Sequence, residues 1–239
     1  MFDALRQSLQ LAPQPPAIFF RDDDADRDLP ELRTLLDLFC SRGLALSLAV
    51  IPGTLTEDGA RLLSEAAAAA PALELHQHGW MHVNHEPQGR KCEFGPSRSF
   101  AEQFLDIASG RQRLAELLGP RVAPIFTPPW NRCTADTARA LEQLHFAALS
   151  KDLSPAVGRI REISIAVDIF TWKSGPQLKS PEQIAAELSA RLAQPGPLGI
   201  LLHHKVMNAE AFALTAQLVD ALRPASRFYS LEAACSVLN

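Results

Sequence analysis

Short apolar runs alternate with longer amphipathic segments along almost the whole chain, and this alternation constrains the fold more than any other feature. The runs are almost entirely apolar, as at residues 44–51, which Ser47 alone interrupts, and at residues 198–202. Continuous runs of this kind are typical of parallel strands that helices cover. We therefore predict an α/β fold with about seven parallel strands, arranged either as a barrel or as an open doubly wound sheet.

The boundaries of the predicted elements follow from the apolar spacing and from the glycine and proline residues that end many segments. Strands are predicted at residues 17–21, 44–51, 73–77, 122–127, 146–149, 163–169, 198–203 and 227–229. Helices are predicted at residues 1–12, 29–42, 57–70, 100–118, 134–144, 181–193 and 209–222, and from residue 230 onward. Residues 78–99 are predicted to form a long loop.

Composition excludes several classes of protein. The chain has 239 residues, of which 47% are hydrophobic and 21% charged, and this balance predicts a single globular domain over residues 1–239. A formal net charge of −4 does not suit a nucleic-acid binder. No apolar run could span a membrane and residues 1–12 lack the regions of a signal peptide, so we expect a cytoplasmic protein. The four cysteines lack zinc-finger spacing and are expected to be free thiols, while the oligomeric state stays open.

Polar and aromatic side chains follow five of the predicted strands. They lie at residues 22–24, 76–82, 128–130, 168–172 and 203–204. In a parallel barrel the carboxyl ends of all strands open on one face, where active sites lie. These side chains are therefore predicted to share one pocket.

His78 and His82 are four residues apart. On a helical turn both imidazoles would lie on one face and could bind one ion. Imidazole with carboxylate suits zinc, with cobalt, nickel and iron as competitors, and two histidines with one aspartate leave an open position for water. The spacing is also typical of two surface histidines, and Gly79 excludes the zincin motif, which needs glutamate at that position.

Three adjacent aspartates, at residues 22–24, directly follow the first predicted strand. Such carboxylates repel one another unless a cation is present. One interpretation is structural: Asp22 or Asp24 caps the helix that begins near Leu29, and Arg21 neutralises a charge. The other interpretation is catalytic: one aspartate is a metal ligand and its neighbour is the general base toward water.

In chain order these motifs together resemble the five motifs of the polysaccharide deacetylase family, the metal-dependent carbohydrate esterases related to chitooligosaccharide deacetylases. The resemblance spans the chain from Phe20 to His204. It implies a distorted (β/α) barrel with about seven parallel strands. It also implies a divalent metal cofactor, with zinc favoured, and a small-molecule or oligosaccharide substrate.

The first motif of the family places a general base directly before a metal ligand. The aspartate triplet leaves the register open. The favoured assignment makes Asp23 the base and Asp24 the ligand, because many relatives read Arg-x-Asp-Asp. Asp22 and Asp23 are the alternative pair.

The second motif is matched between His78 and His82, and the resemblance makes both histidines metal ligands. His76 and His85 are competing candidates for these positions. Trp80, inside the motif, is a candidate for substrate binding.

Residues 126–131 resemble the third motif, where Pro129 and Trp130 are candidates for substrate binding. The prolines there are equally typical of a simple strand terminator. Better-known relatives place an arginine near the start of this motif to orient the base, and this chain lacks it. Arg21 and Arg132 are the candidates to replace it.

The fourth motif is matched around Asp168 and Trp172 and the fifth at His203. The resemblance makes Trp172 a wall of the pocket, Asp168 the residue that orients the general acid, and His203 that acid. His204 is the alternative acid, because a one-residue strand shift swaps the two imidazoles. The loop at residues 84–98 resembles a subgroup feature and is expected to close over the substrate.

The activity that the resemblance implies is metal-assisted hydrolysis of an amide bond. Asp23 would take a proton from water and His203 would protonate the leaving amine. The favoured reaction removes an acetyl group from an N-acetylated sugar or a related small molecule. The missing arginine favours the alternative, a non-catalytic sugar- or metal-binding protein on the same scaffold, whereas the intact ligand set favours the enzyme.

Overall fold

The computed structural model describes residues 2–237, so the parts of the predicted terminal helices that fall on residues 1, 238 and 239 lie outside the described residues. The strands are β1 (Ala17–Ala25), β2 (Leu46–Val50), β3 (Leu73–His78), β4 (Val122–Thr127), β5 (Ala148–Lys151), β6 (Glu162–Asp168), β7 (Phe170–Thr171), β8 (Gln177–Leu178), β9 (Leu198–Leu202) and β10 (Arg227–Phe228). The helices are α1 (Asp3–Gln10), α2 (Pro30–Cys40), α3 (Glu57–Ala69), α4 (Phe100–Leu118), α5 (Ala135–Gln143), α6 (Pro181–Leu192), α7 (Ala209–Leu222) and α8 (Leu231–Val237).

Seven parallel strands close into a barrel. Their order is β1-β2-β3-β4-β5-β6-β9, and β9 pairs back onto β1, from Ile18 opposite Leu198 to Asp22 opposite Leu202. This closure rules out the open doubly wound sheet and confirms the predicted distorted (β/α) barrel. In addition, β10 pairs with the start of β1, and β7 forms a small antiparallel ribbon with β8.

Local sequence signals set the ends of several helices. Ser99 and Glu102 form a reciprocal capping box at the start of α4, and Gly119, with φ of 69°, follows its last residue. Thr134 is the N-cap of α5, as predicted. No helix among residues 2–237 is both long and apolar enough to cross a membrane.

The inside of the barrel is divided into an apolar lower part, toward the amino ends of the strands, and a polar upper part, toward their carboxyl ends. Phe19 of β1 joins Ile125, Ile165 and Leu201, which come from three other strands, in a buried cluster that α8 closes from below through Leu231. Side chains alternate along a strand, so Arg21 and Asp23 follow Phe19 on the inner face. Both are buried, and they give the upper part of the barrel its charge.

The aspartate run lies within β1, which corrects the expectation that it follows the strand. Pairing with β2 continues from Asp22 opposite Leu48 to Ala25 opposite Val50, with a bulge between them. Asp24 sits in this bulge with φ of 74°. A bulge inserts one residue and re-aims its side chain, so Asp24 points away from the direction that strict alternation would give it.

Candidate active site

The three carboxylates of the aspartate run bind three different partners. Asp22 pairs with His204, Asp23 with Arg21, and Asp24 lies against His78 and His82. None of them caps α2, whose N-cap is Leu29 without a side-chain hydrogen bond, so the capping expectation is wrong. The run is therefore a set of three separate interactions at the upper end of the barrel.

A cluster of three potential ligands forms around Asp24. Its Oδ1 atom lies 3.2 Å from Nε2 of His78 and 3.2 Å from Nε2 of His82, and one ligand atom from each residue falls within 4.8 Å of the others. Oδ1 is buried and accepts no well-aligned hydrogen bond among the described residues. A buried carboxylate oxygen without a donor, facing two imidazole nitrogens, suits a divalent cation.

The tautomer of His78 also suits a metal ligand. Its Nδ1 lies 3.0 Å from the main-chain oxygen of Thr127. A carbonyl oxygen only accepts, so Nδ1 carries a proton, and Nε2 is the nitrogen that faces Asp24 and is left to bind an ion. Histidine ligands of metals are commonly fixed through their second nitrogen in this way.

His82 reaches the cluster by a different route from the predicted one. Residues 79–83 form an irregular turn, so the expected helical turn is absent from this described segment. Gly79, with φ of 56°, and His82, with φ of 58°, reverse the chain after β3. The two imidazole rings of His78 and His82 end with their centroids 5.2 Å apart.

The charges in this cluster shift the pKa values of its members strongly. Burial alone would raise the pKa of Asp24, but the contact with His78 and the attraction of His82 hold it far below its usual range. Burial would lower the pKa of His78, yet Asp23 and Asp24 raise it above its ordinary value. Burial, helped by the neighbouring His78, lowers the pKa of His82 to about 4. At neutral pH the cluster presents a carboxylate and at least one neutral imidazole.

Arg21 and Asp23 form a buried two-bond ion pair. Arg21 Nε donates to one carboxylate oxygen at 2.8 Å and Nη2 to the other at 2.9 Å. The guanidinium also donates to Ser150 at 2.9 Å and to Asn131 at 2.6 Å, so its orientation is fixed. Burial opposes ionisation, but the charges of Arg21 and His78 lower the pKa of Asp23.

Of the two candidate arginines, Arg21 and Arg132, the structure places Arg21 against the candidate base. Arg132 donates instead to the main-chain oxygen of Lys91, on the outer side of the loop. Arg21 lies two residues before Asp23 on the same strand and therefore shares its face. The strand that carries the candidate base thus also carries the arginine that orients it.

On the other side of the site, His203 lies near Asp168 but is held loosely. His203 Nδ1 is 3.8 Å from Asp168 Oδ1, which is too long for a hydrogen bond. The two oxygens of Asp168 accept instead from the main-chain nitrogen of Phe170 at 2.8 Å and from Nε1 of Trp172 at 2.7 Å. Burial raises the pKa of Asp168, against the attraction of His203. The indole of Trp172 meets the His203 ring edge-on, with centroids 4.7 Å apart.

His204 faces away from this pocket into the structure. It is fully buried, with its Nδ1 2.6 Å from Asp22 Oδ2 and its main-chain nitrogen 2.8 Å from Asp22 Oδ1. Burial lowers and Asp22 raises the pKa of His204, and the net shift is upward. This pair joins the end of β9 to β1.

The remaining sequence candidates fall at different depths. His76 is buried beneath the site with its Nε2 2.9 Å from Thr127 Oγ1, and burial, together with Arg21, lowers its pKa to about 3. His85 is exposed on the loop outside the cluster. The structure therefore brings neither of them to Asp24.

The aromatic candidates also separate. Trp130, with φ of 57°, places its ring 4.4 Å from that of His82, beside the cluster. Pro129 is buried and packs against Gly79. The indole of Trp80 packs against the apolar cluster around Phe94, between the barrel and α4 and α5.

Two contributors to the site were absent from the sequence analysis. Ser150 holds Arg21 from β5, and the buried carboxylate of Glu93 binds the turn that carries His82. Arg21 itself was among the predicted candidates, but no local pattern marks Ser150 or Glu93.

Comparison with known proteins finds similarity at the level of the fold only. No protein-family model and no curated protein matches this sequence. The Xyl-CE4 domain of a multidomain xylanase from the hindgut metagenome of Trinervitermes trinervoides superposes with a TM-score of 0.64 at 13% identity, over 94% of this chain and 91% of that domain. A family 4 acetyl xylan esterase from Clostridium thermocellum, in complex with a cobalt ion, superposes with a TM-score of 0.61 at 14% identity, over 92% and 91%.

A third similar structure is that of a pseudoenzyme. BA3943 from Bacillus anthracis, described as a family 4 carbohydrate esterase pseudoenzyme, superposes with a TM-score of 0.62 at 12% identity, over 93% of this chain and 66% of that one. At such identities the likeness shows the fold alone. The fold of this chain is that of the family 4 carbohydrate esterases and deacetylases, as the motifs predicted.

Proposed function

We propose that this protein is a metal-dependent hydrolase of a C–N amide bond. The favoured reaction is removal of an acetyl group from an N-acetylated sugar or a related small molecule. One observation supports the proposal most strongly. The carboxylate of Asp23, held by Arg21, is next to Asp24 in the chain and close enough to His78 for its charge to act on that imidazole. A fixed base next to a cation site is the arrangement that activates water for attack on an acyl group.

The metal would be held by Asp24, His78 and His82. Two imidazoles and one carboxylate favour zinc, with cobalt, nickel or iron as competitors. The cobalt ion in the Clostridium thermocellum esterase supports a divalent ion on this fold. When bound, such an ion supplies Lewis acidity toward a carbonyl oxygen and toward water.

Asp23 is the proposed general base. The attraction of Arg21 lowers its pKa, so it is ionised at neutral pH and able to take a proton. The two bonds from Arg21 hold the carboxylate in one orientation, which reduces the reorganisation needed to accept that proton. This register assigns Asp22 to structure, because its carboxylate is occupied by His204.

His203 is the proposed general acid for the leaving amine. It lies across the site from the metal cluster and is close enough for its charge to act on both Asp23 and Asp24. Imidazole can hold and release a proton near neutral pH. Asp168 stands beside it, and catalytic hydrogen bonds that are long in a free enzyme often shorten once substrate is bound.

The substrate would rest between two tryptophans. Trp172 is 47% exposed beside His203, and Trp130 lies beside His82. Exposed aromatic faces with a few convergent polar groups are typical of small-ligand sites. A small molecule or an oligosaccharide fits this arrangement, and we propose no nucleic-acid partner. The cytoplasmic location and the single domain stay predictions.

The competing function is a non-catalytic sugar- or metal-binding protein on the same scaffold, and the Bacillus anthracis pseudoenzyme is the precedent for it. To distinguish the two, the purified protein is supplied with zinc or cobalt and acetate release is measured from N-acetylglucosamine, its oligomers and small acetanilides. Acetate release that Asp23→Asn abolishes supports the hydrolase. A wild-type protein that binds the ion but releases no acyl group from any of these substrates supports the binder.

A further inference from the structure

The turn that carries His82 wraps around a buried carboxylate. Glu93 is fully buried, and its side chain accepts from the main-chain nitrogens of Trp80 at 3.1 Å, Met81 at 2.7 Å and Val83 at 3.4 Å. These three amides flank His82 in the chain. A carboxylate that accepts several main-chain amides fixes the shape of the segment that donates them.

The turn is shaped to bring its backbone onto this carboxylate. A Cβ atom at Gly79 would lie 2.2 Å from Glu93 Oε2 and 2.6 Å from the ring of Pro129. The φ of 56° at Gly79 independently disfavours any other residue. On the opposite side, the main-chain nitrogen of Gly53 donates to the oxygen of Trp80 at 2.8 Å.

Glu93 itself is anchored on both sides. The Cys92 main-chain nitrogen donates to Asn84 Oδ1 at 2.8 Å, and Phe94 forms a bridge to Cys133. The Phe94 ring packs edge-on against Phe126 of β4, with centroids 5.3 Å apart. Glu93 belongs to the loop at residues 84–98, which was expected to close over the substrate. The segment of this loop around Glu93 packs into the protein, behind the turn at residues 79–83.

We propose that Glu93 is a positioning residue for the metal site, whose buried carboxylate fixes the turn at residues 79–83 and so sets the affinity of the site formed by Asp24, His78 and His82. This inference rests on the proposed function. Partners that orient metal ligands commonly change metal affinity by roughly 10- to 100-fold when they are replaced. Glu93 acts through main-chain bonds on either side of His82 and touches no ligand atom.

The test compares zinc affinity in Glu93→Gln, Glu93→Asp and the wild type. Glu93→Gln keeps the size of the side chain but replaces one acceptor oxygen with a donor that opposes a main-chain N–H. Glu86→Gln is the matched control, because Glu86 belongs to the same loop but binds Ser97 at its outer end. Stability of the chelator-treated proteins toward denaturant is measured alongside, so that the dissociation constant refers to folded protein.

We expect the dissociation constant for zinc to rise roughly 10- to 100-fold in Glu93→Gln, less in Glu93→Asp, and not at all in Glu86→Gln. The visible spectrum of the cobalt-loaded protein should change in the Glu93 variants only. If the Glu93 variants bind zinc as tightly as the wild type, the inference fails and the proposed function stands. If the wild type binds no divalent ion, both fail.

Discussion

The two sides of the candidate site differ in how firmly their residues are held. On the metal side Asp24 lies 3.2 Å from each imidazole nitrogen, His78 is fixed by a main-chain oxygen, and the turn of His82 is bound by Glu93. On the acid side His203 is 3.8 Å from Asp168 and its Nδ1 accepts or donates no hydrogen bond among the described residues. Trp172 beside it is half-exposed.

We infer that the metal side is preformed, whereas the acid side adjusts when substrate binds. A metal site gains affinity when its ligands are already in place, because no ordering cost accompanies binding. A general acid needs its final geometry only when substrate is present. We therefore expect substitutions on the metal side to remove the ion, and substitutions on the acid side to slow turnover while the ion stays bound.

The largest effect is expected from His78→Ala or His82→Ala. Each removes one of three ligands, so the purified variant should carry no stoichiometric zinc by elemental analysis and release no acetate. His85→Ala is the matched control and should keep its zinc, because His85 lies outside the cluster. Full zinc occupancy in both His78→Ala and His82→Ala would refute the ligand assignment.

Asp23→Asn should separate binding from catalysis. The variant keeps the three ligands but loses the base, so zinc content should be unchanged while turnover falls by about 10²- to 10⁴-fold. Asp24→Asn should do the reverse and lose the metal. If Asp23→Asn loses zinc and Asp24→Asn retains it, the register is the alternative pair of Asp22 and Asp23.

The two adjacent histidines at the end of β9 should have different phenotypes. His203→Ala should keep zinc and stability and lower turnover by about 10²-fold or more, as expected for a lost general acid. His204→Ala leaves the buried Asp22 without its partner, so it should lower the free energy of unfolding by about 3–5 kcal/mol. Denaturant unfolding and initial rates measure these effects, and the reversed pattern would make His204 the acid.

Arg21→Lys tests the arginine that the base strand supplies. A lysine cannot make two parallel bonds to Asp23 while also reaching Ser150 and Asn131, so the carboxylate loses its orientation. Displacement of this kind costs about 10²-fold in turnover. Zinc content should not change. Arg132→Lys is the control, and an equal loss of turnover in that variant would show that the assignment of Arg21 is wrong.

Trp172→Phe should have the smallest effect. It removes the indole donor to Asp168 but keeps an aromatic ring beside His203. Loss of one such bond costs about 1 kcal/mol, so turnover should fall less than about tenfold. Steady-state kinetics with zinc-loaded protein measure the change. A loss of zinc in this variant would contradict the separation of the two sides.

Comparison of sequence with structure shows which features local patterns can predict. The apolar runs predicted nearly every strand and helix, because burial of parallel strands imposes a pattern on each segment separately. Arg21 was one of the two arginines predicted to orient the base, and alternation, which places it on one face with Asp23, could have favoured it over Arg132. The extension of β1 through the aspartates was missed because polar residues rarely continue an apolar strand, and here pairing with β2 maintains it.

The contacts that join distant segments could not be predicted in this way. The pairing of Asp22 with His204 depends on the register between β1 and β9, where Asp22 lies opposite Leu202. That register is fixed only when the barrel closes. The contact of Glu93 with the histidine turn likewise depends on how a long loop folds back, and no short-range pattern encodes it.

Reconstitution of the chelator-stripped protein with zinc tests the central claim most directly. Zinc is titrated into wild type and Asp23→Asn while bound zinc and acetate released from an acetylated substrate are measured in the same samples. We predict that both proteins bind one zinc ion per chain and that acetate release by the wild type rises with occupancy and saturates at that ratio, while release by Asp23→Asn is slower by about 10²- to 10⁴-fold. Acetate release that survives complete removal of the metal, or that is equal in Asp23→Asn, would contradict the account.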